Sequence, residues 1–269
     1  MSDAPIGVFD SGIGGLTVAK SIMDKLPNER IIYFGDLVHL PYGNKSAKAI
    51  KEFSIENTKF LLSKKVKMIV VACNSASSIA LDDIKNHTNI PVIGVVNPGA
   101  ETAVCNSEKF KIGVIGTTRT ISSGAYEKAI LKLKPGAKIF QQPTPLLVPL
   151  IEENWLDKQA TRLVIREYMD YFKNGKSIDA LVLGCTHYPL IKKVIEQEIS
   201  GVKVIDSANA TASKVYEILN NNGLIADKNN KVVHEYYVND ITKGFKQLAY
   251  RIIGKEINII NISEFGDEL

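Results

Sequence analysis

Ile69-Val-Val-Ala-Cys-Asn-Ser-Ala-Ser77 is the stretch of sequence that decides the fold of this chain. Its apolar and mostly β-branched beginning is typical of a short strand that is buried on both faces of a sheet. Asparagine and serine follow Cys73, and because these residue types cap helices we expect a helix to begin there. Cys73 should then lie at the carboxyl end of a buried strand, where open α/β sheets bind ligands and where a helix dipole favours a thiolate. A buried structural cysteine is the alternative interpretation.

A second stretch, Asp179-Ala-Leu-Val-Leu-Gly-Cys-Thr-His-Tyr-Pro189, repeats this pattern. An apolar run again ends in a cysteine, Cys185, and the hydrogen-bonding residues Thr186 and His187 follow it. Two strand-end cysteines of this kind indicate a site more strongly than one cysteine does.

The rest of the chain extends the repeat. Ile6-Gly-Val8 is echoed by Ile112-Gly-Val114, and the order strand, helix, strand, helix, cysteine strand, helix, strand occurs twice. The sequence therefore predicts an α/β fold of two similar three-layer domains. Their sheets should be mostly parallel and related by a pseudo-two-fold axis, with the active site in the cleft between the domains.

Breaks in this pattern set the predicted domain boundaries. Asn97-Pro98-Gly99 should interrupt the chain at the first crossing between domains. The tail holds a strand candidate from Val232 to Val238 and a helix after it, and we assign both to the first domain. The prediction is a first domain of residues 1–97 plus 208–269 and a second domain of residues 98–207.

Composition limits the classes of function. The chain has 269 residues, of which 45% are hydrophobic and 23% are charged, as expected of a globular protein with a full core. Its net charge of +4 is mild and scattered, so we expect no nucleic-acid partner. No apolar run approaches the roughly 18 residues of a membrane span, and the first strand begins so early that we expect no signal peptide. Three cysteines make no disulfide framework, which favours a cytoplasmic location.

A glycine-rich turn follows the first predicted strand at Asp10-Ser-Gly-Ile-Gly-Gly15. It does not match the dinucleotide fingerprint, because the third glycine of that motif would fall at Thr17. The turn can instead hold an anion such as a carboxylate through its backbone N–H groups. Asp10 stands at the strand tip, where it could orient a proton donor or, alternatively, cap the helix.

The second predicted strand ends in Gly35-Asp36, and Pro41-Tyr-Gly43 lies in the loop that follows. Asp36 is another strand-end carboxylate, while Tyr42 and Gly43 offer a phenol and an exposed backbone N–H. Turn formation alone could also explain the proline and the glycine.

Two thiols that face each other across a cleft suit racemisation or epimerisation, in which one base removes a proton and an acid on the other face delivers one. General acid–base catalysis supplies only about 10²–10⁴-fold, so donors that stabilise the anion must supply more. No lysine has a recognisable pyridoxal-phosphate context, and Cys185 with His187 alone is too little for zinc. We therefore expect neither a cofactor nor a metal.

Several motifs, taken together and in this order, resemble those of bacterial glutamate racemases. They are Phe9-Asp-Ser-Gly-Ile-Gly-Gly15, Gly35-Asp36, Pro41-Tyr-Gly43, Ala72-Cys-Asn-Ser-Ala-Ser77, Val148-Pro-Leu-Ile-Glu152 and Gly184-Cys-Thr-His-Tyr-Pro189. The resemblance implies cofactor-independent interconversion of L- and D-glutamate, with D-glutamate supplied to peptidoglycan. It also implies a homodimer.

The resemblance assigns roles by position. Cys73 and Cys185 would be the two bases, with Cys73 serving D-glutamate and Cys185 serving L-glutamate. Asp10 would assist Cys73, His187 would assist Cys185, and Glu152 would be a further polar partner near Cys185. The implied substrate-binding residues are Asp10, Ser11, Asp36, Tyr42, Gly43, Asn74, Ser75, Thr186 and His187.

The chain departs from the family pattern at three places. Ser75 replaces a threonine and keeps its hydroxyl. Leu37-Val-His39 stands where Thr-Ala-Arg is usual, and Thr144-Pro145 stands where Cys-Pro is frequent.

Three alternatives remain at this point. A racemase for aspartate or a hydantoin would differ only in how it recognises the side chain. A cysteine hydrolase or transferase would use Cys185 as nucleophile and His187 as its base, which leaves Cys73 unexplained. A non-catalytic amino-acid-binding protein would bind glutamate without exchange of its α-proton.

Overall fold

The fold is taken from a computed structural model that describes residues 2–228, 231–241 and 243–262 and contains two parallel β-sheets. The first half of the chain alternates strands and helices, in the order β1 (Ile6–Asp10), α1 (Leu16–Lys25), β2 (Ile31–Gly35), a 3-10 turn (Tyr42–Asn44), α2 (Ala47–Ser63), β3 (Met68–Val71), α3 (Asn74–Ile79), α4 (Leu81–His87) and β4 (Val92–Gly94).

The second half repeats this alternation. Its elements are α5 (Val96–Cys105), β5 (Lys111–Gly116), α6 (Thr118–Ser122), α7 (Ala125–Leu133), β6 (Lys138–Pro143), α8 (Leu147–Glu152), α9 (Gln159–Lys173), β7 (Ala180–Gly184), a 3-10 turn (Tyr188–Ile191), α10 (Lys192–Glu198) and β8 (Lys203–Asp206). The chain then continues with α11 (Ser207–Asn221), β9 (Glu235–Val238), α12 (Lys243–Ile253) and β10 (Ile259–Asn261).

The strand orders reveal the duplication. The first sheet runs β10-β9-β2-β1-β3-β4 and the second runs β6-β5-β7-β8, so the block β2-β1-β3-β4 has the same topology as the whole second sheet. Every strand pair is parallel. The predicted α/β class with parallel sheets is confirmed.

Each sheet lies between two layers of helices, because its apolar side chains alternate between the two faces. On β1, Ile6 and Val8 pack towards α1, α11 and α12, while Phe9 packs towards α2 and α3. The second sheet follows the same rule, with α8 to α10 on one face and α5 with α7 on the other.

The expected break at Asn97-Pro98-Gly99 is wrong, because these residues lie inside α5. Pro98 is the third residue of that helix, where a proline removes no helical hydrogen bond. Helix α5 packs on the second sheet and α11 packs on the first. The chain therefore crosses between β4 and α5 and again between β8 and α11. The domain boundaries at 97/98 and 207/208 stay a prediction.

The tail adds two strands to the first sheet, where one was expected. The candidate from Val232 to Val238 forms β9 over Glu235–Val238, and β10 pairs with it at the edge. Across the described residues, no helix combines the length and apolar character that a membrane span requires.

Candidate active site

Cys73 and Cys185 line the same cavity, at the carboxyl ends of the two sheets. Each follows a fully buried strand, β3 or β7, and each side chain is itself buried. The lining residues come from both halves of the chain: Ser11, Leu40, Pro41, Tyr42, Gly43, Asn44, Cys73, Asn74, Ser75, Thr117, Thr118, Thr144, Pro145, Val148, Pro149, Glu152, Cys185, Thr186 and His187.

The Cys73 thiol is surrounded by groups that keep its proton in place. Burial, and after it the negative charge of Asp10, raises the pKa of Cys73 to about 12. The Cys73 thiol donates to the Ser11 hydroxyl oxygen at 3.5 Å, and this contact, together with hydrogen bonds from backbone N–H groups, opposes the shift without cancelling it. The backbone N–H of Ala76, in the first turn of α3, lowers this pKa, as expected of a helix N-terminus, but burial outweighs its effect.

Asp10 lies beneath the cavity surface and contacts residues of both halves of the chain. It is fully buried, and burial raises the pKa of its carboxyl. One oxygen accepts the Gly12 N–H at 3.0 Å, and the other accepts the Thr186 hydroxyl at 3.4 Å. Asp10 thus connects the glycine turn of the first half with the residue that follows Cys185.

The Cys185 thiol has an imidazole beside it. His187 Nδ1 lies 3.7 Å from Cys185 Sγ, and its Nε2 lies 3.1 Å from a Glu152 oxygen. Burial alone would lower the pKa of His187, but the hydrogen bonds and charges of Cys185 and Glu152 raise it well above its ordinary value. When both ring nitrogens donate, His187 is an imidazolium that can stabilise a thiolate at Cys185.

Polar side chains join the two halves around the cavity. The Ser75 hydroxyl lies 3.0 Å from that of Thr117, and the buried Tyr126 hydroxyl donates to Asn74 Oδ1 at 2.7 Å. Asn74 Nδ2 is buried and finds no acceptor among the described residues. It is therefore a free donor in the wall of the cavity.

A comparison with protein families identifies the family of this chain. The sequence model of the Asp/Glu/Hydantoin racemase family matches residues 16–215, which is most of the chain. The chain belongs to the Asp/Glu/hydantoin racemase family.

Similar proteins cover nearly the whole length of this racemase-family chain. It is 48% identical to the glutamate racemase of Chlorobaculum tepidum, over 95% of this chain and 94% of that protein. It is 44% identical to the glutamate racemase of Geobacter metallireducens, over 94% of this chain and 93% of that one.

Solved structures of glutamate racemases are similar to this chain over nearly its whole length. The glutamate racemase of Francisella tularensis in complex with D-glutamate superposes with a TM-score of 0.90, at 40% identity and 97% coverage of both chains. The RacE1 isoform of glutamate racemase from Bacillus anthracis gives 0.93, at 37% identity, covering 97% of this chain and 98% of that one.

Within this racemase fold, most of the predicted site residues converge. Cys73, Cys185, His187, Glu152 and the predicted binding residues other than Asp10 and Asp36 all line the cavity. Asp36 departs from the expectation that it binds substrate. Its carboxylate lies behind Tyr42 and already accepts hydrogen bonds from the side chains of Tyr42, His39 and Asn239.

Sequence reasoning missed several lining residues, among them Thr117, Thr118 and Thr144. Thr117 and Thr118 follow β5 directly, at the position that Ser11 and Gly12 occupy after β1. The internal repeat would therefore have pointed to them. Thr144 had a weaker signal, because it follows β6, a strand with no apolar alternation.

Two thiols and an imidazole line one cavity, and these are groups that can transfer protons. Among residues 2–228, 231–241 and 243–262, no three His, Cys, Asp or Glu side chains form a group that could hold a metal ion. Serine, threonine and asparagine side chains supply neutral donors near the two thiols. The helix N-termini at α3 and α6 add backbone N–H groups.

Proposed function

We propose that this chain interconverts L- and D-glutamate by a two-base mechanism that needs no cofactor. The observation that carries the proposal is the placement of two buried cysteines, from two similar sheets, in the wall of one cavity. The family and the names of its relatives support glutamate as the substrate.

Starting from L-glutamate, the Cys185 thiolate removes the α-proton and the Cys73 thiol delivers its own proton to the opposite face. One C–H bond breaks and one forms, and the electron pair stays on the α-carbon between the two steps. The His187 imidazolium supports the initial thiolate, while burial and Asp10 keep the proton on Cys73. D-glutamate follows the reverse course.

The carbanion and the two carboxylates of glutamate need donors. Lining residues that are described include no lysine or arginine, so neutral N–H and O–H groups must hold the anions. Asn74 Nδ2 is one such donor, because it lacks a protein acceptor among the described residues. Donors that are fixed by the fold cost no reorganisation when charge develops.

The cellular part of the proposal rests on the resemblance to glutamate racemases. D-glutamate made by this chain would enter peptidoglycan, and the protein would act in the cytoplasm as a homodimer. Reduced cysteines at the site fit a reducing compartment.

One contact favours a second candidate function. The 3.7 Å approach of His187 to Cys185 resembles the nucleophile and base of a cysteine hydrolase. That function would need an acyl-enzyme thioester at Cys185 and would give Cys73 no role.

The deciding experiment follows the optical activity of L-glutamate and of D-glutamate with the purified protein in deuterated water. Both should converge on the racemic mixture, and each product molecule should carry one deuterium at the α-carbon. Hydroxylamine should not inhibit, because no carbonyl cofactor takes part. The double variant Cys73→Ala/Cys185→Ala controls for contaminating racemases.

Other outcomes would point elsewhere. Faster racemisation of aspartate would move the proposal to an aspartate racemase. A trapped thioester at Cys185 would support the hydrolase. Saturable glutamate binding without α-proton exchange would leave a binding protein.

A further inference from the structure

A buried carboxylate stands directly behind the cavity wall. Asp36 is fully buried, and its oxygens accept from the Tyr42 hydroxyl, from His39 Nδ1 and from Asn239 Nδ2, the last at 2.6 Å. A buried carboxylate is costly unless several donors satisfy it. The burial of Asp36 therefore depends on these three donors.

Tyr42 connects the hydrogen bonds around Asp36 with the cavity, because it donates to Asp36 and also lines the cavity. Burial, and then the charge of Asp36, raises the pKa of the Tyr42 phenol, so the phenol stays protonated and donates to Asp36. Asn57 Nδ2 donates to the same hydroxyl at 3.1 Å. Tyr42 and Gly43 belong to the 3-10 turn Tyr42–Asn44, which lines the cavity and packs against Thr117.

His39 is the member of the network that the family pattern did not predict. Its Nδ1 lies 2.8 Å from one Asp36 oxygen and 3.0 Å from the other, and a carboxylate can only accept, so Nδ1 carries the proton that is shared. Its ring stacks on Phe53 of α2, with centroids 3.8 Å apart and planes 12° from parallel. The stack fixes the direction from which Nδ1 approaches Asp36.

We propose that His39 is a positioning residue for substrate binding, which acts by holding Asp36 and, through Asp36, the Tyr42–Gly43 turn of the cavity wall. The proposal rests on the proposed racemisation of glutamate. His39 does not line the cavity and touches neither cysteine in any described contact, so it takes no part in the proton transfers.

This role predicts a particular kinetic signature. Without the His39 donor, Asp36 keeps two side-chain donors, and the turn that carries Tyr42 and Gly43 becomes less constrained. Substrate binding should weaken while the thiols keep their surroundings. KM for glutamate should therefore rise while kcat changes little.

Two substitutions separate the hydrogen bond from the stacking. His39→Phe keeps a ring that can stack on Phe53 but has no donor, whereas His39→Asn keeps a donor near the position of Nδ1 but has no ring. His87→Phe makes the same replacement at an exposed histidine at the end of α4 and serves as the control. His39→Ala is a fallback should the phenylalanine variant fail to fold.

The measurements are KM and kcat for racemisation in both directions, together with hydrogen exchange of the amides at residues 42–45. For His39→Phe we expect KM to rise about tenfold, kcat to stay within about twofold, and exchange at the turn to accelerate. His39→Asn should recover most of the affinity, and His87→Phe should match the wild type.

The proposal is overturned if the wild type racemises glutamate and His39→Phe keeps its KM and its exchange pattern. Equal losses in His39→Phe and His39→Asn would also overturn it, because the ring rather than the hydrogen bond would then matter. Failure of the proposed function looks different, since the wild type itself would not racemise glutamate.

Discussion

The surroundings of Cys73 and Cys185 differ although their backbone positions are equivalent. Each cysteine follows the strand that is third in its repeat, and each is buried in the same cavity. Cys73 has a hydroxyl at 3.5 Å and a buried carboxylate nearby, whereas Cys185 has an imidazole at 3.7 Å that is backed by Glu152. The duplicated fold supplies two matched positions, and a few side chains give the two cysteines different polar neighbours.

The two supporting carboxylates differ in the same sense. Asp10 is fully buried, but the Glu152 side chain is 28% exposed. A buried carboxylate acts on its neighbours through a weakly screened field, so Asp10 adds to the effect of burial, which is the larger cause of the raised pKa of Cys73. Glu152 acts by a hydrogen bond to His187. The two carboxylates therefore act on different partners, since Asp10 raises the pKa of Cys73 and Glu152 raises that of His187.

Removal of either cysteine should have the largest effect and tests the comparison directly. Cys73→Ala and Cys185→Ala should each lose racemisation by about 10⁴-fold, since each lacks the acid or the base for one face. In deuterated water, Cys185→Ala should exchange the α-proton of D-glutamate only, and Cys73→Ala that of L-glutamate only. Mass spectrometry of each enantiomer measures this. Exchange of both enantiomers by one variant would contradict the assignment of one cysteine to each face.

The halves also differ in their ion pairs, and this difference predicts a large change in stability. In the first half, Lys67 and Glu29 form a buried pair at 2.6 Å, and each side chain is 2% exposed. Lys67→Met should cost about 3–5 kcal/mol of unfolding free energy, because it leaves the Glu29 carboxylate buried without its cation. Denaturant unfolding measures this cost.

The matched control lies in the second half, where the Arg166–Glu198 pair is on the surface. Arg166→Met should move the unfolding midpoint much less, because the Arg166 side chain is 56% exposed and the Glu198 side chain is 11% exposed, so water reaches this pair. An equal loss of stability in both variants would show that burial does not separate the two pairs.

Single-cysteine variants can show what Asp10 and His187 each contribute. The two enantiomers have equal free energy in solution, so kcat/KM must be equal in both directions and cannot reveal a one-sided effect. Isotope exchange in single-cysteine variants can reveal such an effect, because it follows one cysteine at a time. In Cys73→Ala, addition of His187→Asn should slow exchange of L-glutamate by about 10²-fold, because the imidazolium no longer supports the thiolate.

In Cys185→Ala, addition of Asp10→Asn removes a negative charge that raises the pKa of Cys73. The pKa of Cys73 should therefore fall from about 12, and the rise of D-glutamate exchange with pH should move to lower pH. The rate of α-proton exchange of D-glutamate, measured as a function of pH, checks the direction of this change in pKa. If the pH at which D-glutamate exchange rises stayed in place or moved to higher pH, burial alone would set the pKa of Cys73.

The smallest expected effect concerns a hydrogen bond that joins the halves. Tyr126→Phe removes the donor to Asn74 Oδ1 and should cost about 1 kcal/mol, which is roughly fivefold in kcat/KM for glutamate. Tyr216→Phe on the exposed face of α11 provides the control. Steady-state kinetics that do not distinguish the two variants would mean that Asn74 is held in place by its helix alone.

Much of this description could be predicted from the sequence. The α/β class, the repeat and the two cysteine strands follow from local patterns, since apolar runs, capping residues and glycine turns act within about ten residues. Local rules failed at Asn97-Pro98-Gly99, because a proline and a glycine can also be accommodated in the first turns of a helix.

The sequence by itself determined which side chains stand at the strand ends, because strand burial and helix capping are local. Only the tertiary structure decided what those side chains meet. Asp36 lies behind Tyr42 instead of in the cavity, and Thr186 of the second half donates to Asp10 of the first. The pKa of Cys73 likewise depends on burial by residues far away in the chain. Desolvation and charge act through space over a few ångströms, so they are set by the packing of the two halves and have no pattern along the chain.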